Sequence, residues 1–239
     1  MSVLTPWQAV AGAALPYITA AISDAARPAA DKDRDEARKP ADMIAFAGMK
    51  PGQAVLEILP GGGYFTRIFS KVLGSKGHLF TAVPDTEATG AEPAASQIAT
   101  DADYSNVTVI PLTAAGMKSL RPVDIVWTSQ NYHDLHLSHV HVDVAALDRQ
   151  WFAALKPGGV VVIVDHAALP GAPATQTADS LHRIDPAIVR AEMQAAGFVF
   201  DGESDVLRNP SDLHAVTVFD PTVRGRTDQF VYRFKKPAT

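Results

Sequence analysis

Val55-Leu56-Glu57-Ile58-Leu59-Pro60-Gly61-Gly62-Gly63-Tyr64-Phe65-Thr66 runs from an apolar segment carrying one acid, through a glycine cluster, into an amphipathic segment. That order predicts a strand over residues 55–59, a tight turn, and a helix opening at Tyr64. Glycines in such a turn let the backbone approach a ligand with no Cβ in between, and the first N–H groups of the helix are unpaired. A nucleotide-like ligand is the reading this favours. The plain alternative is a corner that only joins a strand to a helix.

Working outward, Lys50-Pro51-Gly52 punctuates the chain before this strand, and Leu155-Lys156-Pro157-Gly158-Gly159 does so before the apolar run 160–166, which ends in Asp165-His166. Both are turn signals ahead of buried parallel strands. Further strands are expected over 78–83, 107–112 and 123–129. The last strands are expected over 198–200, 215–219 and 229–234, with an irregular polar segment over 201–213. Val140, Val144, Leu147, Trp151 and Leu155 recur at helical spacing and predict a one-faced helix that packs in the core. Pro186, followed by Ile188, Val189, Met193 and Gly197, marks another helix with its stop. Alternating strands and helices imply a mainly parallel sheet covered on both faces. Ligands on such sheets sit at the carboxyl ends of strands, near the point where strand order reverses. Glu57, Gly61, Pro84, Thr113, Asn131 and His166 lie on that edge.

Taken together these patterns resemble the class I S-adenosylmethionine-dependent methyltransferase fold over residues 40–236. More narrowly, Asn131-Tyr132-His133-Asp134-Leu135, Leu181-His182-Arg183-Ile184-Asp185 and Val218-Phe219-Asp220-Pro221 with Arg224-Gly225 are similar to a bacterial group of predicted methyltransferases. The resemblance implies an α/β, Rossmann-like fold with a seven-stranded, mostly parallel sheet and helices on both faces. Residues 1–45 would form an N-terminal helical extension and residues 46–239 the methyltransferase-like domain. It also implies S-adenosylmethionine as cofactor, with Glu57, Pro60, Gly61, Gly62, Gly63, Asp85 and Asn131 around it. The family's first glycine position holds Leu59. Pro84 stands where an acid would hold the ribose, with Asp85 one residue later, and Thr113 stands where an acid commonly meets the adenine amine. Loss of a charged ribose contact weakens cofactor binding.

His133 beside Asp134 suggests a general base with a neutral imidazole, with His166 orienting the acceptor; a His bonded to a loop carbonyl beside a capping Asp is the alternative. For His182 and Arg183 the readings are an ion pair locking a loop or a clamp for a substrate carboxylate or phenolate. Tyr64 and Tyr132 are expected against the substrate. His136, His139 and His141 follow closely, but no zinc pattern is completed and no metal is expected. Arg208-Asn209-Pro210 and Arg224-Gly225 read as loop-locking groups. The leading function is methyl transfer to a small molecule. The rival is a lyase or isomerase on the same scaffold that no longer uses the cofactor, moving protons with His133, Asp134, His166, His182 and Arg183 on a small substrate, aromatic compounds among the candidates. A noncatalytic binding protein is the third class.

At 239 residues and 47% hydrophobic content the chain can fill one large core, and a formal charge of −5 without a basic block speaks against nucleic acid as partner. No cysteine occurs, which excludes disulfides and thiolate chemistry. Residues 7–25 read as an alanine-rich helix, and the charged stretch 31–47 as helical after Pro40, with Met43, Phe46 and Ala47 on one side. These N-terminal helices are expected as a lid or as a homodimer interface. The apolar part over 9–22 is interrupted by Pro16 and preceded by no basic residue, so it fits neither a signal peptide nor a membrane span. A cytoplasmic location follows if Met1 is the natural start, and a periplasmic one if a leader was removed.

Overall fold

The computed structural model describes residues 15–84, 93–118 and 120–238. Seven strands form one sheet: β1 (Ala54–Ile58), β2 (His78–Val83), β3 (Val107–Pro111), β4 (Val123–Ser129), β5 (Leu155–His166), β6 (Val199–Ser204) and β7 (Gln229–Lys235). Their order is β3-β2-β1-β4-β5-β7-β6. β1 to β5 run parallel, and β7 enters antiparallel between β5 and β6. Strand order therefore reverses between β1 and β4, where Glu57 lies beside Trp127.

The central strands are apolar throughout because both faces are covered. Val55, Trp127, Val162 and Val231 face one cluster, and Leu56, Val126, Ile163 and Phe230 face the other, the period of two that a pleat imposes. The first cluster is closed by α1 (Pro16–Ile22), α4 (Pro40–Ala47) and α5 (Tyr64–Leu73), through Ile18, Met43, Ile44, Phe65 and Phe69. The second is closed by the helices Val144–Ala154 and Pro186–Ala195, through Leu147, Trp151, Val189 and Met193.

Several boundaries differ from expectation, each for a local reason. The helix Val144–Ala154 starts where the Asp143 carboxylate accepts from the Ala146 N–H at 2.9 Å, so Val140 precedes it, and Leu155 already belongs to β5. β5 begins at Leu155 instead of residue 160 because Lys156-Pro157-Gly158-Gly159 forms an irregularity within the ladder, where the register against β4 shifts. Gly158 there has φ 78°, which a side chain would strain. Residues 215–219 form no strand. The Val218 N–H bonds to the Leu181 carbonyl, and the Val216 carbonyl accepts from Arg183, so loop contacts take the groups a ladder needs. β6 extends to Ser204, into the segment expected to be irregular.

At the N-terminus, α1 ends at Ile22, three residues short of the expected helix end at residue 25, and residues 7–14 lie outside the described residues. The charged stretch forms two short helices, α2 (Ala29–Lys32) and α3 (Asp35–Arg38), before Lys39 at φ 47° turns the chain into α4. Met43, Phe46 and Ala47 are buried as expected. Arg27 pairs with Asp35 at 2.6 Å, and Asp31 pairs with Arg67 of α5 at 3.0 Å. These pairs fix α2 and α3 above the carboxyl edge of the sheet. Among the described residues, no helix is long and apolar enough to cross a membrane.

Candidate active site

Where β1 ends, Leu59 takes φ 53°, a left-handed backbone of the kind glycine adopts most easily. Gly61 (φ 55°) and Gly63 (φ 79°) continue the corner into α5. A Cβ on Gly61 or Gly62 meets nothing within 4 Å, so this side of the turn is open. One on Gly63 would collide with Ile98 Cδ1, so Gly63 serves packing at the start of α5 instead of facing the crevice.

The corner lines a cavity of about 210 Å³ together with Glu57, Tyr64, Trp127, Asn131, Arg34 and Arg38. Glu57 is buried and accepts from Thr66 Oγ1 at 2.6 Å. Burial pushes its carboxyl up to about 7, against the pull of the Thr66 hydroxyl and the Arg38 charge. Asn131 Nδ2 donates to the carbonyls of Leu59 (2.8 Å) and Ser129 (2.7 Å), tying the ends of β1 and β4 together. Tyr64 donates to Asp35 Oδ1 at 2.6 Å, and Arg38 lies 4.8 Å over its ring. Arg38 also donates to Gln130 Oε1 at 2.6 Å, and Gln130 to Gln229 Oε1 at 3.0 Å. Burial, with Arg34 nearby, lowers the Arg38 guanidinium to about 10. Trp127 is buried, and its indole N–H has no hydrogen-bond partner among the described residues. Pro84 follows β2, Asp85 lies outside the described residues, and the Thr113 hydroxyl accepts from the Gly116 N–H at 3.1 Å, a capping role.

This crevice fits the amino-acid end of S-adenosylmethionine. It offers a buried carboxylate, guanidiniums and an open glycine backbone, and that end of the molecule carries an ammonium and a carboxylate.

The histidines form a second cluster beside it. Asp165, fully buried at the end of β5, accepts from His133 Nδ1 (2.8 Å), from the His133 N–H (2.7 Å) and from the His166 N–H (2.7 Å). Asp134 Oδ1 stands 3.2 Å from His133 Nε2 and 3.7 Å from His182 Nδ1. Burial alone would lower the His133 imidazole, but the two carboxylates outweigh it and raise it to about 10. The expected neutral base at His133 is therefore corrected: at neutral pH this ring is an imidazolium. His166 is the opposite case, since burial lowers it to about 4 despite Asp165, and the His133, Arg183 and Arg38 charges add to the effect. Its Nδ1 lies 2.7 Å from Thr227 Oγ1, and its ring is 5.8 Å from that of His133. His182, at φ 52° on the end of the helix Ala174–Leu181, sets its ring edge against His133 (5.5 Å) and Phe219 (4.8 Å). Ligand-type atoms of His133, Asp134 and His182 lie within 4.8 Å of one another.

Two further expectations are corrected. Tyr132 is fully buried against Trp151 on the other side of the sheet, bonded to Asp148 (3.0 Å) and Glu192 (2.9 Å), and cannot touch a substrate. Next to it His136 reaches the same Glu192 oxygen at 3.2 Å. Arg183 is fully buried and spends its donors on Asp212, Ala167 O and Val216 O, so of its two readings the loop-locking ion pair holds and the substrate clamp is the one corrected. Arg208 does likewise with Asp228 at 2.8 Å. Arg34, Arg38, Gln130, Asp165, Thr227 and Gln229 enter the site although sequence reasoning did not select them for it. Asp165 had a signal, an acid ending an apolar strand beside a His; Gln229 opens β7, and the others come from loops and from the N-terminal segment that carries α2 and α3.

No family model matches the chain, and no curated protein sequence matches it. Solved structures do. An S-adenosylmethionine-dependent methyltransferase from Aquifex aeolicus superimposes with a TM-score of 0.60 at 18% identity, over 85% of this chain and 92% of that one. One from Mesorhizobium loti gives 0.54 at 17% identity, over 84% and 98%. The [4+2]-cyclase SpnF gives 0.60 at 15% identity, over 88% and 82%. The chain thus has the class I methyltransferase-like fold, a fold that also serves a cyclase.

Proposed function

We propose that the chain transfers a methyl group from S-adenosylmethionine to a small molecule. The observation that carries this reading is the crevice at the reversal of strand order, whose buried Glu57 and bordering Arg34 and Arg38 offer both signs of charge to an amino-acid zwitterion. Glu57, Asn131, the backbone of residues 59–62 and the two guanidiniums would hold the cofactor. When bound, it supplies an electrophilic methyl on a sulfonium. The rest of the work is alignment, since methyl transfer needs acceptor, carbon and leaving sulfur in line. A second cavity, separated from the first by Arg38 and Gln130 and reached by His166, receives the acceptor. His166, neutral at pH 7, points the acceptor through a hydrogen bond and takes a proton where one must leave. His133, locked by Asp165, holds its charge beside it. Incubation with methyl-labelled S-adenosylmethionine and a panel of phenolic and carboxylic acids tests the reading: label should pass to one acceptor class and be lost with Glu57→Gln.

A second reading is acid-base chemistry without the cofactor, favoured by one observation: an imidazolium and a neutral imidazole share neighbouring strand ends, an acid and a base already assigned by their surroundings. Substrate turnover in protein stripped of S-adenosylmethionine selects it.

A further inference from the structure

Beside the glycine crevice lies the acceptor cavity, of about 440 Å³. Three guanidiniums border it, those of Arg34, Arg38 and Arg224, and no carboxylate is among the described residues that line it. In a chain of net charge −5 this is a local inversion. Other arginines nearby are spent: Arg27 on Asp35, Arg67 on Asp31, Arg183 on Asp212, Arg208 on Asp228. Among the described residues, Arg34, Arg38 and Arg224 have no carboxylate within ion-pair distance. Arg38 is half-buried, and its hydrogen bond goes to a neutral amide, Gln130. A guanidinium partly withdrawn from water, with only the Asp31 and Glu57 charges beyond ion-pair distance to balance it, is costly, and an anion in the cavity reduces that cost. The remaining wall is apolar on one side, where Phe219 is exposed and Val218 buried, and His166 and Thr227 lie on the other.

We propose that this cavity binds a small organic anion, a carboxylate or phosphate monoester, with its charged group between Arg38 and Arg224 and its apolar body against Phe219. The proposal rests on the reading of this cavity as the acceptor's place and names the acceptor's class. Arg183, which the sequence suggested as such a clamp, is replaced in that role by residues of α3 and of the loop before β7. An acceptor that arrives already ionised also explains why His166 is set as a neutral hydrogen-bonding group.

The test uses calorimetry on the full chain, alone and saturated with S-adenosylhomocysteine, with benzoate, phenyl phosphate, benzyl alcohol and benzylamine as probes. Benzoate or phenyl phosphate should bind, and the alcohol and the amine, which carry a similar ring, should bind at least about tenfold more weakly. Arg224→Gln, a substitution in an exposed loop, should weaken the anion about tenfold or more, the scale of one charged hydrogen bond, and leave S-adenosylhomocysteine affinity unchanged. Preference for benzoate or for phenyl phosphate distinguishes the two anion sources. No anion binding at about 10 mM, equal binding of benzyl alcohol, or undiminished anion affinity in Arg224→Gln overturns the proposal. Anion binding by a chain that takes up no S-adenosylhomocysteine upholds it while removing the methyl-transfer reading; cofactor uptake without anion binding does the reverse.

Discussion

At the scale of single residues, the site is organised by Asp165. A buried carboxylate that accepts three donors stays ionised, and its charge keeps His133 protonated. The sign of the linkage follows from the directions. His133 is raised above its unfolded value, so its stabilising contribution is complete below about pH 6.5 and disappears as pH rises through about 10. Asp165 is lowered, so its contribution is present above the ordinary carboxylate range and is lost as pH falls through the lowered value. The pair therefore supports the fold across neutral pH. Replacing His133 by Gln leaves Asp165 buried without its cation and should cost about 3 to 5 kcal/mol in denaturant unfolding at pH 7. Adding Asp165→Asn should recover much of that loss; an undiminished loss in the double variant would refute the pairing. NMR titration offers a second check. The His133 and His166 ring signals should show no inflection between about pH 5.5 and 8.5, because their surroundings push them to opposite sides of the usual histidine value. A step near 6.5 at either ring would contradict the assignment.

At the scale of elements, the glycine corner separates two jobs that look alike in a row of three glycines. Gly63→Val should lower the melting temperature, since its Cβ meets Ile98 and its backbone is left-handed. Gly61→Val meets only the backbone cost, about 1 kcal/mol or somewhat more, yet should remove ligand binding by filling the open side of the turn. Similar binding losses in both variants, at equal stability, would show that the corner does not face the ligand in this way. Local patterns made much of the architecture readable. β2 and β4 are short, mainly apolar runs rich in β-branched and aromatic residues, and the glycine-to-Tyr64 boundary announces α5. β5 was harder, because Pro157-Gly158-Gly159 reads as a stop while the ladder continues through an irregularity. Residues 215–219 alternate like a strand, and only the distant contacts of Arg183 and Leu181 decide otherwise. The same limit hid Arg34 and Arg38: charged residues in the turn before a four-residue helix and at its end carry no periodic signal for the cavity they border.

At the scale of the whole molecule, the N-terminal helices and the loop before β7 close over the carboxyl edge of the sheet, and together they convert a generic crevice into two adjoining cavities with an arginine between them. Tyr132 shows the same dependence on the assembled fold, since its neighbours His133 and Asn131 face the site while its own ring passes to the opposite side. The fold is shared with methyltransferases and with a cyclase, so the architecture alone does not choose the chemistry. The choice rests on what the crevice accepts. The most direct measurement is a calorimetric titration of S-adenosylmethionine and of S-adenosylhomocysteine into the full chain at pH 8, where Glu57 is largely ionised. The account predicts saturable, one-to-one binding of both, weakened about tenfold or more by Glu57→Gln, the scale of a lost charged contact. No saturable heat from either compound at millimolar concentration would contradict it.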